Sequence, residues 1–226
     1  MQVVLALLGL AGPCWAWRCG ARQGKESRKM EILVHISGVT PLILNRFSDE
    51  AALIASGGTR GASAGAERKT PLDICESKLY RGLDGRLIIP QPNLLRSLVD
   101  GGRFHKVGKK QVTTKEESMM FACVDIEGAE IALIHKQPWK VDTRPVVIPS
   151  TKGRILAHRP MFDDWRLEFV VSLDTSILGP GIFRSIVDDA GKRVGLGDFR
   201  PARKGPYGRY RVDHWAVVEQ AIAEAA

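Results

Sequence analysis

Cysteine is scarce: the 226 residues hold four, Cys14, Cys19, Cys75 and Cys123. None forms a C-x-x-C pair and no His/Cys cluster has zinc-finger spacing, so no structural metal is expected. Two of the four lie in the first 29 residues, which leaves two well-separated thiols, the pattern of a reduced intracellular protein. Long apolar runs are missing too. Val3 to Ala11 is apolar but Pro13 breaks it, far short of the roughly 20 residues a spanning helix needs. No membrane partner is expected, and a cytoplasmic protein is. No Gly-Lys-Ser/Thr is present, which excludes a Walker A loop, and no cofactor is expected. Acidic residues are outnumbered, 25 against 33 basic, giving a net charge of +8 and a pI near 9.5. Such a balance favours anionic partners, nucleic acid before membrane, without specifying a fold.

Residues 1–29 read differently from the rest. A secretory signal would need basic residues ahead of its apolar stretch, and none precedes Arg18. Met30 leads directly into an alternating run, Glu31 to Ser37, that looks like a natural start. Upstream, Lys25-Glu26 is compatible with AAG GAG codons, a ribosome-binding sequence. We therefore read 1–29 as a mis-assigned start or leader outside the fold, with a signal peptide as the second reading. Without it the net charge falls from +8 to +4, so local clustering must carry any electrostatic argument.

From Met30 to Ala226 the pattern is that of one domain. Ile32–Ser37 is a strand by alternation, with Leu33 and His35 sharing a face. The stretch from Ser56 to Gly65 is a flexible loop. Thr70 and Pro71 open a helix to about Tyr80, as N-cap and first helical residue. Leu87–Ile89 is a short strand, and a second helix from Pro92 or Asn93 ends at Gly101-Gly102. Val124–Ile126 and Glu130–Ile134 are β-like, and Trp139–Ile148 is extended. Leu167–Leu173 is the clearest strand, Ile182–Ala190 a helix stopped by Gly191, and Arg209–Trp215 a closing strand before a helical tail. The order predicts an α+β fold: a ferredoxin-like (βαββαβ, RRM-like) core with insertions and a C-terminal glycine-rich loop.

That loop carries the chemistry. Gly195, Gly197, Gly205 and Gly208 allow close backbone approach to a ligand, and successive amides in such loops form anion-binding concavities. Arg200, Arg203, Lys204 and Arg209 supply charge, while Phe199, Tyr207 and Tyr210 supply stacking surfaces. Cations interleaved with aromatics suit single-stranded nucleic acid, where phosphate and exposed base are both satisfied. The competing reading is a structural loop whose aromatics belong to the core. A basic tract with Arg103, His105, Lys106, Lys109, Lys110 and Lys115 is a second candidate, either a finger along the phosphates or a solvated loop. Arg144, Lys152, Arg154, His158 and Arg159 are a third. His105 and His158 are weak candidates for a catalytic base. Asp163-Asp164 and Asp188-Asp189 read as turn or helix-end features, and Trp139, Trp165 and Trp215 as packing residues.

A helix, then Gly-x-Gly, a basic turn, Gly-x-x-Gly and a closing strand resemble the C-terminal loop of the repeat-associated mysterious protein (RAMP) superfamily, the ferredoxin-like RNA-binding subunits and guide-processing nucleases of CRISPR systems. Gly195, Gly197, Gly205 and Gly208 match that loop, and Arg203, Lys204 and Arg209 its basic character. The strand and helix from Leu87 to Asp100 are similar to the superfamily's strand, turn and RNA-touching helix, with Gln91 and Pro92 replacing the usual Ser or Gly. The chain from Met30 is also similar to proteins of bacteriophages and prophages that have no assigned function. The resemblance implies a phage-encoded binder of single-stranded RNA or DNA in the bacterial host cytoplasm, non-enzymatic, with homo-oligomers along the strand. A metal-independent endoribonuclease of the same fold and a phage structural or protein-interaction module are the alternatives.

Overall fold

The computed structural model describes residues 29–47, 69–147 and 153–218. Residues 1–28, the 56–65 loop, Lys152 and the tail beyond 218 lie outside them. The described chain is mixed α+β, with antiparallel sheets and few helices. Its strands are β1 (Lys29–Gly38), β2 (Leu42–Ile43), β3 (Ile88–Pro90), β4 (Lys106–Val107), β5 (Lys110–Gln111) and β6 (Val124–Ile126). They continue with β7 (Glu130–Ala132), β8 (Ile134–His135), β9 (Lys140–Val147), β10 (Arg154–Phe162), β11 (Trp165–Asp174) and β12 (Tyr210–Val218). The helices are α1 (Pro71–Glu76), α2 (Gln91–Gly101), α3 (Met120–Cys123) and α4 (Pro180–Asp189).

The main sheet runs β12-β1-β11-β6 with every neighbour antiparallel, and β8 pairs with the start of β11. Alternation decides its faces. Ile32, Val34 and Ile36 of β1 and Trp165, Leu167, Phe169, Val171 and Leu173 of β11 point inward and are buried. Leu33 and His35 share the opposite, half-buried face, as alternation predicts. Leu94 and Leu98 of α2 and Phe183, Ile186 and Val187 of α4 belong to the same continuous core. Each such fully buried side chain contributes about 1.5–3 kcal/mol relative to exposure. Helices α2 and α4 approach closely because Gly101 has no side chain; a Cβ there would lie 2.8 Å from that of Ala190.

Several boundaries differ from expectation. Helix α1 has its predicted cap: Thr70 Oγ1 accepts from the Asp73 amide at 3.2 Å, and Asp73 accepts from the Thr70 amide at 3.0 Å. Thr70 Oγ1 also donates to Asp73 Oδ2 at 2.6 Å, and this bond first, the Thr70 amide second, holds the Asp73 carboxyl below its ordinary range. The helix nevertheless ends at Glu76, not Tyr80. Gly191 does not stop α4; the chain continues as a π-helical turn, Ala190–Val194, closed by the Gly195 amide donating to the Ala190 carbonyl at 2.8 Å. Val217 and Val218, expected in a helical tail, lie in β12 opposite Ile32 and Glu31.

The largest unforeseen element is β10. It pairs with β9 in a long hairpin and, through Met161 and Phe162, with β2. The resulting β2-β10-β9 sheet anchors the chain after β1 beside the glycine-rich loop. Cys75 and Cys123 are free and buried, and burial pushes the Cys123 thiol up to about 11. Among the described residues, no helix is long and apolar enough to cross a membrane, and no His/Cys/Asp/Glu group could hold a metal ion.

Candidate nucleic-acid interface

The glycine-rich loop folds against itself before it faces anything else. The Leu196 amide donates to Gly208 O and the Gly208 amide to Pro41 O, both at 2.8 Å. The Asp198 amide donates to Ile43 O, Gly205 to Arg200 O, and Tyr207 to Phe199 O. A buried amide must find an acceptor, and here the acceptors are the loop and the β2 segment. The expectation of successive amides forming an anion nest is therefore corrected: most are already spent. The glycines serve backbone packing instead. A Cβ on Gly205 would lie 1.8 Å from Phe199 O, and one on Gly208 1.8 Å from Leu196 O, with Gly208 at φ +66°.

Two attachments fix the loop to its surroundings. Ser97, buried on α2, donates from Oγ to Gly195 O at 2.9 Å and lies 3.2 Å from the Tyr210 hydroxyl. Burial raises the Tyr210 phenol well above its ordinary pKa, so it stays neutral. Tyr210 is a core residue, and its sequence assignment as a stacking surface is corrected. We expect Ser97→Ala to cost about 1–3 kcal/mol, because it strands a buried hydroxyl and a carbonyl together. A lowered urea midpoint with unchanged slope is the reading that checks it.

The second attachment is ionic. Arg159 on β10 is 6% exposed and reaches Asp198 Oδ2 at 2.9 Å and Asp142 Oδ2 at 3.4 Å. Arg144 on β9 donates to Asp142 Oδ1 at 2.7 Å and to the Tyr207 hydroxyl, with its guanidinium 4.7 Å over the Tyr207 ring. Arg144 and Arg159 thus turn inward to Asp142 as braces. Tyr207 is covered by Arg144, and its ring centroid stands 6.0 Å from that of Phe199. Lys78 adds a further tie, donating to the His158 carbonyl at 2.7 Å.

Between the loop and the first turns of α2 lies a cleft of ≈490 Å³. Gly195, Gly197, Phe199, Arg200 and Arg203 form one wall; Asn93 and Arg96 of α2 form the other, with Asn45 and Tyr80 at its margin. Arg200 lies deepest among the cations. Its Nη1 donates to Gly197 O at 2.8 Å, while its shielded Nε has no acceptor among the described residues. Burial first and Arg203 second pull its pKa down, against the opposing pull of Asp100 and Asp198. Arg200 is thus a half-buried guanidinium that lines the cleft together with Arg96 and Arg203.

The other candidates are placed elsewhere. Lys204, Gly205, Tyr207, Gly208 and Arg209 belong to the loop but not to the cleft lining. Lys106 and Lys110 stand on the exposed β4–β5 hairpin with Lys109 at its turn, beyond the C-terminal end of α2 and outside the cleft. The tract is thus a folded hairpin. His105 Nε2 is 3.1 Å from Asp189 Oδ2, and His158 Nδ1 is 2.8 Å from Thr143 Oγ1; neither lines the cleft. Asp163 pairs with Lys140 and Asp188 with Arg184, structural roles in both cases. Sequence reasoning did not single out Asn45, Tyr80 or Arg96 as cleft residues, and it reached Asn93 only as a helix start and through the resemblance of the Leu87–Asp100 segment to an RNA-touching motif. Arg96 was recoverable, since three residues from Asn93 places it on the same helix face.

No family model and no curated protein matches the chain. By fold it is similar to a chain in the cryo-EM structure of the Type III-B Cmr-beta bound to cognate target RNA, with a TM-score of 0.51 and 11% identity over 84% of this chain. The likeness spans 61% of that chain, less than two thirds of its length, and it is a likeness of fold.

Proposed function

We propose that this chain binds single-stranded nucleic acid, RNA or DNA, by seating phosphate and base in the cleft between the glycine-rich loop and α2. The observation that carries the reading is the convergence of Arg96, Arg200 and Arg203 on one cleft that also presents the rings of Tyr80 and Phe199. Phosphate neutralisation supplies affinity and little sequence choice, and ring stacking adds about 1–3 kcal/mol per base. The first turns of α2 add the positive end of a helix dipole to the same wall. Residues 30–226 are read as one domain of ferredoxin-like type. Support for that type comes from the strand order: taking β1, β6, β11 and β12 as the four strands, the sheet runs fourth, first, third, second, all antiparallel. The two connecting helices are α2, between β1 and β6, and α4, between β11 and β12. The RAMP-like reading of the loop and the fold likeness to a chain of an RNA-bound structure point the same way. Arg209, Lys204 and the lysines of the β4–β5 hairpin are assigned an outlying electrostatic part.

The test is titration of the full chain against labelled single-stranded RNA and DNA across salt. Parent protein is expected to bind with a steep salt slope, and Arg200→Ala/Arg203→Ala to reduce that slope by about one to two. Absence of binding to either strand at low salt overturns the reading.

A further inference from the structure

We infer that the cleft takes the phosphate monoester at the end of a strand, together with its terminal nucleotide, in preference to an internal phosphodiester. This rests on the reading of the cleft as a nucleic-acid site and names what that site selects.

The charge balance is the first argument. Arg96, Arg200 and Arg203 face one cleft, and the nearby acids are committed to other cations as well. Asp198 is held by Arg159 at 2.9 Å, and Asp100 lies 3.3 Å from Arg103 and 3.7 Å from Arg96. Asp142, outside the cleft lining, is divided between Arg144 and Arg159. Among the cleft-lining side chains three arginines stand against one carboxylate, Asp198, leaving two positive charges in excess at the cleft. An internal phosphodiester brings one negative charge, whereas a terminal monoester brings about −1.5 to −2 and three acceptor oxygens. The excess suits the second.

Shape and donor geometry agree. A cleft of ≈490 Å³ falls within the roughly 300–1,000 Å³ of small-molecule sites, a scale that an end nucleotide fits. Arg200 Nε, shielded from solvent, has no acceptor among the described residues, and the Gly197 carbonyl on Nη1 fixes the direction of the guanidinium. Phe199 is held at φ +48°, an uncommon conformation for a bulky residue, with its amide taken by Asp198 Oδ1 at 2.8 Å. That backbone sets its ring on the cleft wall, supported by Tyr207 from outside the cleft. Such outliers gather at ligand-holding positions. Asn45 and Asn93 line the same cleft and bring side-chain amides of the kind that hydrogen-bond sugar or base edges.

The experiment compares four labelled strands of one sequence with the full chain: 5′-phosphorylated, 3′-phosphorylated, hydroxyl-ended and covalently circular. One phosphorylated strand is expected to bind about tenfold tighter than the hydroxyl-ended and circular strands, the scale of a single charge-assisted contact. Which strand gains identifies the end. Arg200→Ala should bring the four within about twofold of one another while weak salt-dependent binding persists. Arg203→Ala, at an exposed position, should narrow the gap in the same direction and guards against misfolding of the first variant. Equal affinity of the parent for all four strands overturns the end preference and leaves nucleic-acid binding intact. No binding of any strand overturns both.

Discussion

Arg159→Ala is expected to lower stability by about 3–5 kcal/mol, the cost of removing one partner from a buried ionic network. Arg159 and Asp142 are 6% and 7% exposed, so the carboxylate left behind has no easy access to water. Arg144 remains at 2.7 Å from one Asp142 oxygen, but the other loses the Arg159 guanidinium, and Asp198 is released at the same moment. Against a typical net stability of about 5–15 kcal/mol, this is a large fraction of the whole. The pair need not stabilise the fold relative to an apolar replacement. Arg159→Met with Asp142→Leu should therefore cost less than Arg159→Ala alone, since no unpaired charge is buried. Urea unfolding of parent, single and double variants checks this. A single variant within about 0.5 kcal/mol of parent would show that the network contributes nothing of note.

Gly208→Ala should be nearly as damaging, at about 3 kcal/mol or more, for a reason of backbone geometry. The added Cβ would sit 1.8 Å from the Leu196 carbonyl at φ +66°, a position L-residues avoid. Relief by movement would break the Leu196–Gly208 and Gly208–Pro41 hydrogen bonds, both 2.8 Å. Gly85→Ala is the control. Its φ is +78° with nothing within 4 Å of the added atom, so only conformational strain of about 1 kcal/mol remains. Equal destabilisation of the two variants would refute the steric account.

Elements with one buried face were legible in the sequence. Alternation located β1 and β11, and Val124–Ile126 matched β6 residue for residue. The apolar stripes of α2 and α4 likewise gave the helices, apart from their ends. Strand β10 was not legible because its exposed half, Arg154 to Leu156, carries charge and apolar residues without a core to sort them, and Pro160 argues against a strand. Its pairing is dictated by β9 and β2, which no local pattern reveals. The glycine-rich loop was found as a loop, but the inward turn of Arg144 and Arg159 depends on Asp142, a partner set by hairpin register. Asn45 and Tyr80 reach the cleft through distant pairings: β2 with β10, and the Arg46 amide with the Lys78 carbonyl at 3.0 Å. Tyr210 was recoverable, since in β12 it shares a face with the half-buried Val212.

The loop that faces the cleft is tied to β2 through its backbone, to α2 through Ser97 and to the β9–β10 hairpin through Arg159. Segments that close over a ligand usually surrender conformational entropy when they do so, and affinity falls by that amount. Here the ordering is completed during folding. If the cleft binds a strand as proposed, the tied wall predicts association without a slow closing step, with little contact energy spent on ordering the loop.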